Sequence, residues 1–285
     1  MQLSAAAFQD IRKAVHDLCG IVISDEKQYL VKSRLEAILK GNGLPSYESL
    51  VQRLNQPGSR PLQDQVIEAI TTKETSFNRD GHRYDELRRT ILPDLASRLI
   101  ERKASTRLFS PKVRIWCAAV ATGQEAYSVA MAVTDFLASR PGLGLTLDDF
   151  PILASDISCN ALATAREGRY SAAELGRGLL HDQRDRFFRQ ENGAWIVDPS
   201  LRRMVEFRPL NLVQPLPNLG TFDLILCRNL LIYFDESTRR RLCQSLHAAL
   251  NPQGILLIGA AESLYGVTDA FAAERLGGTV VHRKA

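Results

Sequence analysis

The chain has 285 residues, of which 45% are hydrophobic and 24% charged, and its formal net charge is +4. This is the composition of an ordinary globular protein, and so small a charge does not by itself favour nucleic acid as a partner. No run of eighteen apolar residues occurs and no basic region leads into an apolar stretch near the amino terminus, so we expect neither membrane insertion nor secretion.

The spacing of the cysteines and histidines argues against disulfides and against a metal site. The five cysteines are widely spaced, odd in number and without a Cys-x-x-Cys pair, and four of them have mainly apolar or small neighbours. We therefore expect buried thiols in a reducing cytoplasm rather than disulfides or zinc. The five histidines also lack metal-ligand spacing, so no metal site is expected.

Residues 1–80 are predicted to form a helical domain. Apolar residues recur at helical spacing within 8–18 and within 29–39. Ser46 is a plausible cap for a third helix, which Pro57-Gly58 would end. No cluster of catalytic residue types occurs here, so we expect this domain to have a binding or scaffolding role.

Residues 81–112 are predicted to form a helical linker. Basic side chains outnumber acidic ones in this segment. The excess could face an acidic partner, but a solvated helix surface is the preferred interpretation.

From residue 113 to 285 the pattern alternates between strands and helices. Strands are predicted at 113–118, 150–154, 222–227, 255–258 and 280–281, with helices at 125–138, 160–167 and 237–250. Such alternation predicts an α/β fold with a mostly parallel sheet and helices on both faces.

Between about 170 and 210 the alternation fails. Strand-like pieces at 194–197 and 204–208 flank a turn at Asp198-Pro199-Ser200. These features predict a small antiparallel insertion on the main sheet.

The stretch from Phe222 to Asp235 is the most informative part of the chain. It opens as a buried strand and places Arg228 and Asn229 where that strand ends, with Tyr233 in the turn before the next helix. Ligands in open α/β sheets lie at the carboxyl ends of strands, so a site is expected here.

Other strands also end in polar or small residues. The first runs from Ala118 into a turn with Gly123 and Glu125, which lets a ligand approach the backbone and a helix amino terminus. The second ends at Asp156, whose carboxylate can accept hydrogen bonds from both hydroxyls of a ribose. Asn211-Leu212 follows a third, and an asparagine amide both donates and accepts.

The sequence motifs of three segments resemble those of the CheR family of chemotaxis receptor methyltransferases. Cys-Arg-Asn-x-x-Ile-Tyr-Phe-Asp at 227–235 carries the resemblance most strongly. The turn at 118–128 shares Gly123, Glu125, Tyr127 and Ser128 with the family pattern but departs at Gln124 and Ala126. The segment 70–80 shares Thr75, Phe77 and Arg79, whereas Lys73 stands where the family commonly has Asn.

The resemblance implies a Rossmann-like S-adenosylmethionine methyltransferase domain preceded by an all-α domain. It implies methyl transfer from S-adenosylmethionine to glutamate side chains of chemoreceptors, with S-adenosylhomocysteine as product. Arg79 and Tyr233 are expected to hold the acceptor carboxylate. The expected cofactor contacts are Lys73, Thr75, Arg79, Ala118, Gly123, Glu125, Asp156, Asn211, Leu212, Arg228 and Asn229.

The expected partners are the cytoplasmic methylation helices of transmembrane chemoreceptors. Docking is expected on the helical domain, with Lys27, Lys32, Arg34 and Arg53 as candidate contacts. Some family members also grip a peptide at the receptor carboxyl terminus with the antiparallel insertion. The insertion here is compact, with Pro199 in its predicted turn, so recognition independent of that peptide is expected.

Two other functions remain open at this level. A small-molecule methyltransferase could use the same sheet, although it would not need a helical docking domain. A non-catalytic S-adenosylmethionine-binding regulator is the other alternative, because Lys73 and Gln124 depart from the family pattern.

Overall fold

The computed structural model describes residues 1–105 and 110–284. Residues 106–109, inside the linker predicted at 81–112, and Ala285 lie outside the described residues. No helix in the described part of the chain is long and apolar enough to cross a membrane.

The amino-terminal part is all helical, as the sequence predicts. Its helices are α1 Ala5–Cys19, α2 Gln28–Gly41, α3 Tyr47–Leu54 and α4 Arg60–Ile70. The predicted cap is confirmed, since Ser46 Oγ accepts the Ser49 N–H at 3.2 Å. Helix α4 was not predicted, although Leu62, Val66 and Ile70 recur at helical spacing and are buried against the other helices.

The linker is a nearly continuous helical rod that packs on the sheet. It consists of α5 His82–Glu86, a π-helical turn Leu87–Ile91 and α6 Leu92–Ser105. Its apolar face is buried in the core of the sheet domain. Its basic face is largely paired within the chain through Arg88–Asp85, Arg98–Asp94, Arg102–Asp223 and Lys103–Asp149.

Residues 110–284 form ten strands and six further α-helices. The strands are β1 Ile115–Ala118, β2 Ile152–Asp156, β3 Arg169–Tyr170, β4 Phe188–Glu191, β5 Ala194–Val197, β6 Val205–Pro209, β7 Phe222–Cys227, β8 Leu250–Ile258, β9 Phe271–Leu276 and β10 Thr279–Lys284. The helices are α7 Gln124–Ala138, α8 Cys159–Glu167, α9 Ala172–Leu175, α10 His181–Phe187, α11 Pro199–Met204 and α12 Glu236–Ala249.

The main sheet has seven strands in the order β6-β2-β1-β7-β8-β10-β9. The first five are parallel to one another, β10 runs antiparallel to β8, and β9 runs antiparallel to β10. Ala118 of β1 pairs with Ser155 of β2 and Cys227 of β7, so these three strands end level with one another. The strand order reverses at β1, and a ligand crevice is expected at such a reversal. The predicted α/β class is confirmed.

The antiparallel insertion is also confirmed, but its composition differs from the prediction. Its three strands lie in the order β3-β5-β4, and the Asn192-Gly193 turn joins β4 to β5. The strand predicted at 204–208 is instead β6, which pairs in parallel with β2 of the main sheet. The predicted turn at Asp198 begins α11, because the Asp198 carboxylate accepts the Ser200 N–H and Pro199 suits a first helical position.

Candidate functional site

A cleft of about 430 Å³ lies between the carboxyl ends of the parallel strands and the helical domain. Its walls include residues of the segment 70–79 and of the chain around α1 and α2. Most of the site residues expected from the sequence line it. These are Thr75, Arg79, Glu125, Asp156, Asn211, Leu212, Arg228, Asn229 and Tyr233.

Three expected cofactor contacts do not line this cleft. Lys73 faces a neighbouring groove, where its Nζ donates to Glu68 Oε2 at 2.6 Å. Ala118 is fully buried inside β1, and the following Ala119 and Ala121 line the cleft instead. Gly123 is the N-cap residue of α7 with a φ of 95°, and a Cβ there would lie 2.7 Å from Ala165 Cβ.

Asp156 closes β2 and combines two hydrogen bonds with spare acceptor capacity. Its Oδ2 accepts the Ala121 N–H at 2.7 Å, and its Oδ1 accepts the Ser158 N–H at 2.9 Å. Burial raises the pKa of this carboxyl, and the two backbone hydrogen bonds oppose that rise. A carboxylate offers about four acceptor positions, so two remain for a ligand in the cleft. Ser158, rather than Asp156, caps α8.

Arg228 forms a buried ion-pair network at the end of β7. It donates to Glu125 Oε2 at 2.9 Å, to Asp80 Oδ2 at 2.7 Å and to the Arg79 carbonyl at 2.6 Å. Burial by itself lowers the pKa of the guanidinium, but Glu125, Tyr84 and Asp80 outweigh it and raise the pKa. Burial raises the pKa of Glu125, and Arg228 counteracts this. The network holds the Glu125 carboxylate at the floor of the cleft.

The two asparagines in the cleft are held in place differently, Asn211 through its side chain and Asn229 through its backbone. Asn211 Nδ2 donates to the Leu18 carbonyl at 2.8 Å, and Asn211 Oδ1 accepts the Val213 N–H at 3.2 Å. Asn211 therefore also fastens the helical domain to the sheet. Asn229 has a φ of 56°, a left-handed conformation that asparagine tolerates, and its backbone N–H donates to Glu262.

Arg79 and Tyr233 lie half-buried in the same cleft. Arg79 Nη1 makes a long hydrogen bond of 3.3 Å to the Glu74 carbonyl. Within the described residues the Tyr233 hydroxyl has no hydrogen-bond partner, whereas the Tyr233 carbonyl accepts the Val22 N–H at 2.9 Å. Both side chains retain donors for a ligand.

The four basic residues expected to dock a partner lie in two places. Lys27 and Arg34 line the cleft, and Arg34 Nη1 donates to the Ile70 carbonyl at 2.5 Å. Lys32 is exposed and lies about 200° around α2 from Arg34. Arg53 is exposed and bonds Gln56 Oε1 at 2.6 Å.

Glu262 does not line the cleft but holds the Asn229 turn beside it, and the sequence reasoning missed it. Its Oε2 accepts the N–H groups of Asn229 and Gly259, and its Oε1 accepts the Leu231 N–H. It follows the end of β8, so the rule that pointed to Asp156 could have found it. By contrast, no local sequence signal places residues 21–23 in the cleft.

Comparison with known proteins gives one family over nearly the whole chain. Residues 73–278 match the model of the CheR methyltransferase SAM-binding domain, and residues 6–71 match the CheR methyltransferase all-alpha domain. Chemotaxis protein methyltransferase 1 of Pseudomonas aeruginosa is 36% identical over 284 residues, covering 99% of both chains. Chemotaxis protein methyltransferase 1 of Vibrio cholerae is 37% identical over 282 residues, covering 99% of this chain and 98% of the relative. The Escherichia coli chemotaxis protein methyltransferase is 32% identical over 268 residues, covering 92% and 86% respectively.

Proposed function

Because this chain belongs to the CheR methyltransferase family, we propose that it methylates glutamate side chains of methyl-accepting chemoreceptors. The methyl donor is S-adenosylmethionine, and the product on the receptor is a glutamate methyl ester. The observation that carries the proposal is the convergence of Asp156, Asn229, Arg79 and Tyr233 on one cleft at the carboxyl ends of the parallel strands.

The residues of the cleft fit S-adenosylmethionine. The spare acceptor positions of Asp156 suit a ribose diol, and the apolar side chains of Ile157 and Leu212 suit a purine face. Glu125, held by Arg228, offers a carboxylate to the positively charged part of the cofactor. When bound, the cofactor supplies an electrophilic methyl group on a sulfonium.

The acceptor needs orientation more than activation. A glutamate carboxyl has an ordinary pKa near 4.3, so at neutral pH the acceptor is already an ionised nucleophile. No general base is required, and none is assigned. The Tyr233 hydroxyl and the Arg79 guanidinium donate hydrogen bonds to the acceptor carboxylate and hold one oxygen in line with the methyl carbon.

Docking of the receptor is assigned to the helical domain. Lys32 and Arg53 are exposed and are the candidates for contacting an acidic receptor helix. Lys27 and Arg34 line the cleft, so we propose that they contact the receptor segment that enters it.

We also propose that recognition does not depend on a receptor carboxyl-terminal peptide. The support is the tight two-residue turn Asn192-Gly193 between β4 and β5, which leaves no longer loop to close over an added strand. Calorimetric titration with a receptor carboxyl-terminal pentapeptide should detect no binding at micromolar concentration. Micromolar affinity would contradict this part of the proposal.

Transfer of a radiolabelled methyl group to receptor-containing membranes tests the main function. We expect label on the receptor that alkali releases as methanol, since methyl esters hydrolyse in base whereas N-methyl groups do not. The Tyr233→Phe variant is the matched low-activity control.

The same experiment separates the alternative functions. Label in a small molecule rather than in protein would favour a small-molecule methyltransferase. Tight cofactor binding with no transfer to any receptor would favour a non-catalytic regulator.

A further inference from the structure

The end of α1 and the segment after it cross from the helical domain to the turn that carries Tyr233. This segment, residues 16–23, is here named the brace. The Val22 N–H donates to the Tyr233 carbonyl at 2.9 Å. Ile21 and Phe234 form an antiparallel β-bridge directly beside that hydrogen bond. The main chain from the Tyr233 carbonyl to Phe234 is therefore held by the helical domain.

A side-chain contact ties the brace to the same turn. His16 Nε2 donates to Asp235 Oδ2 at 2.7 Å, and both side chains are only about one-third exposed. The other oxygen of Asp235 caps α12 by accepting the Thr238 N–H at 2.7 Å. The capping hydrogen bond contributes most to lowering the pKa of Asp235, and His16 adds to it. His16 thus fastens the helix start that follows Tyr233 by two residues.

The brace also packs tightly against the sheet. Gly20 has a φ of 73°, and a Cβ at this position would lie 2.6 Å from Val213 Cγ1 and 3.3 Å from Phe234 Cδ1. The Leu18 carbonyl accepts a hydrogen bond from Asn211 Nδ2 at 2.8 Å. A side chain at position 20 would therefore have to displace Val213 or the brace itself.

From these contacts we infer that the brace positions Tyr233 for methyl transfer, and that His16 is a positioning residue acting through Asp235. The inference rests on the proposed function, in which Tyr233 orients the acceptor carboxylate. Glu262 holds the beginning of the Tyr233 turn, and the brace holds its end. The helical domain then has a second role besides docking, because it completes the site.

Steady-state kinetics of His16→Ala tests the inference. The turnover number kcat should fall by about tenfold or more, because small errors of alignment slow a transfer step strongly. Cofactor affinity should stay unchanged. His16→Gln should restore much of the turnover, since its terminal amide can reach Asp235 much as the imidazole Nε2 does. Lys13→Ala is the matched control, because Lys13 pairs with Asp17 on the exposed face of the same helix.

A second pair of variants separates positioning from general destabilisation. Gly20→Ala and Gly43→Ala both place a side chain at a positive φ, of 73° and 64° respectively, but only the first meets neighbouring atoms. Both should lose stability. Only Gly20→Ala should also lose turnover beyond what its folded fraction explains.

The effect of His16 on Tyr233 can also be measured without an enzyme assay. In protein labelled with 3-fluorotyrosine, one of the seven tyrosine resonances is assigned to Tyr233 by its loss in Tyr233→Phe. This ¹⁹F signal should shift or broaden in His16→Ala and stay in place in Lys13→Ala.

Three outcomes would overturn the inference. They are an unchanged ¹⁹F signal in His16→Ala, full turnover in that variant, or equal losses of cofactor affinity and turnover. None of them touches the proposed function, which fails separately if the wild-type chain transfers no methyl group to receptors. A fully active Tyr233→Phe would remove only the assigned role of Tyr233, and with it this inference.

Discussion

At the scale of single residues, two backbone N–H groups converge on the Asp156 carboxylate and still leave it able to accept hydrogen bonds from a ligand. We expect Asp156→Ala to weaken S-adenosylmethionine binding by about 1.5–3 kcal/mol, the scale of hydrogen bonds to a charged group. Isothermal titration calorimetry measures this change. Asp148→Ala, in the exposed turn before β2, is the control and should bind normally. Unchanged affinity in folded Asp156→Ala would remove this residue from the site.

Tyr233 and Arg79 should affect turnover more than cofactor binding. Tyr233→Phe removes one donor without changing shape, so it should lower kcat and leave cofactor affinity nearly intact, as expected for an interaction felt mainly in the transition state. Arg79→Lys should also slow the enzyme, since one ammonium does not reproduce a planar guanidinium. Kinetics and calorimetry on the same preparations check both. Large, equal losses of cofactor binding would mean that these residues contact the cofactor instead.

The sequence predicts the position of some site residues correctly and of others wrongly, and the difference has a physical reason. Asp156 and Arg228 could be predicted because parallel strands end at one edge of the sheet, and the structure brings both to the cleft. Lys73 was expected there by resemblance alone, and it turns instead toward Glu68 on α4. Glu68 is only five residues from Lys73, so the contact is local, but the resemblance that placed Lys73 at the cofactor does not reveal it.

At the scale of elements, the turn from Asn229 to Leu231 depends on Glu262 after β8. Glu262→Gln should lower the free energy of unfolding by about 1–3 kcal/mol, because either orientation of the amide points an NH₂ group at a backbone N–H and leaves donors unsatisfied. Asn229 is displaced with the turn, so cofactor affinity should fall as well. Urea denaturation and calorimetry test this prediction.

The control for this prediction is Glu274→Gln. Glu274 forms a partly exposed ion pair with Arg283 on the far strands of the sheet, so both its stability and its cofactor affinity should stay close to wild type. If Glu262→Gln behaves like this control, the turn is held by its own backbone and not by the carboxylate.

Most elements could be predicted from periodicity. The strand at 204–208, which was assigned to the wrong sheet, shows what periodicity does not determine. The apolar alternation at 204–208 does predict a strand. It does not say which sheet the strand joins, since β6 could pair locally with the insertion or distantly with β2. The structure selects β2, because α11 reverses the chain and delivers β6 parallel to the main sheet.

At the scale of the whole molecule, the helical domain is joined to the sheet by a polar contact at Glu68. Its carboxylate accepts from Lys73 Nζ at 2.6 Å, from Ser158 Oγ at 2.8 Å and from the Asn160 N–H at 3.1 Å. Lys73→Met should cost on the order of 1 kcal/mol of stability, since it removes a charged partner from a half-buried carboxylate. Its cofactor affinity should stay nearly unchanged, because Lys73 lies outside the cleft.

Thermal unfolding and calorimetry on Lys73→Met test both halves of this prediction. Lys40→Met is a suitable control, because Lys40 pairs with Glu36 on the outer face of α2 and should matter little. A strong loss of cofactor affinity in Lys73→Met alone would return Lys73 to the cofactor site.

The sequence by itself determined the helical and α/β parts and the edge of the sheet that carries the site. These follow from hydrophobic periodicity and from the geometry of parallel strands, both of which act over a few residues. Only the tertiary structure decided that β6 joins the main sheet, that Glu262 holds the Asn229 turn, and that residues 16–23 reach Tyr233. The physical reason is that these contacts join segments distant in the chain, whose meeting depends on the packing of complete elements rather than on any local pattern.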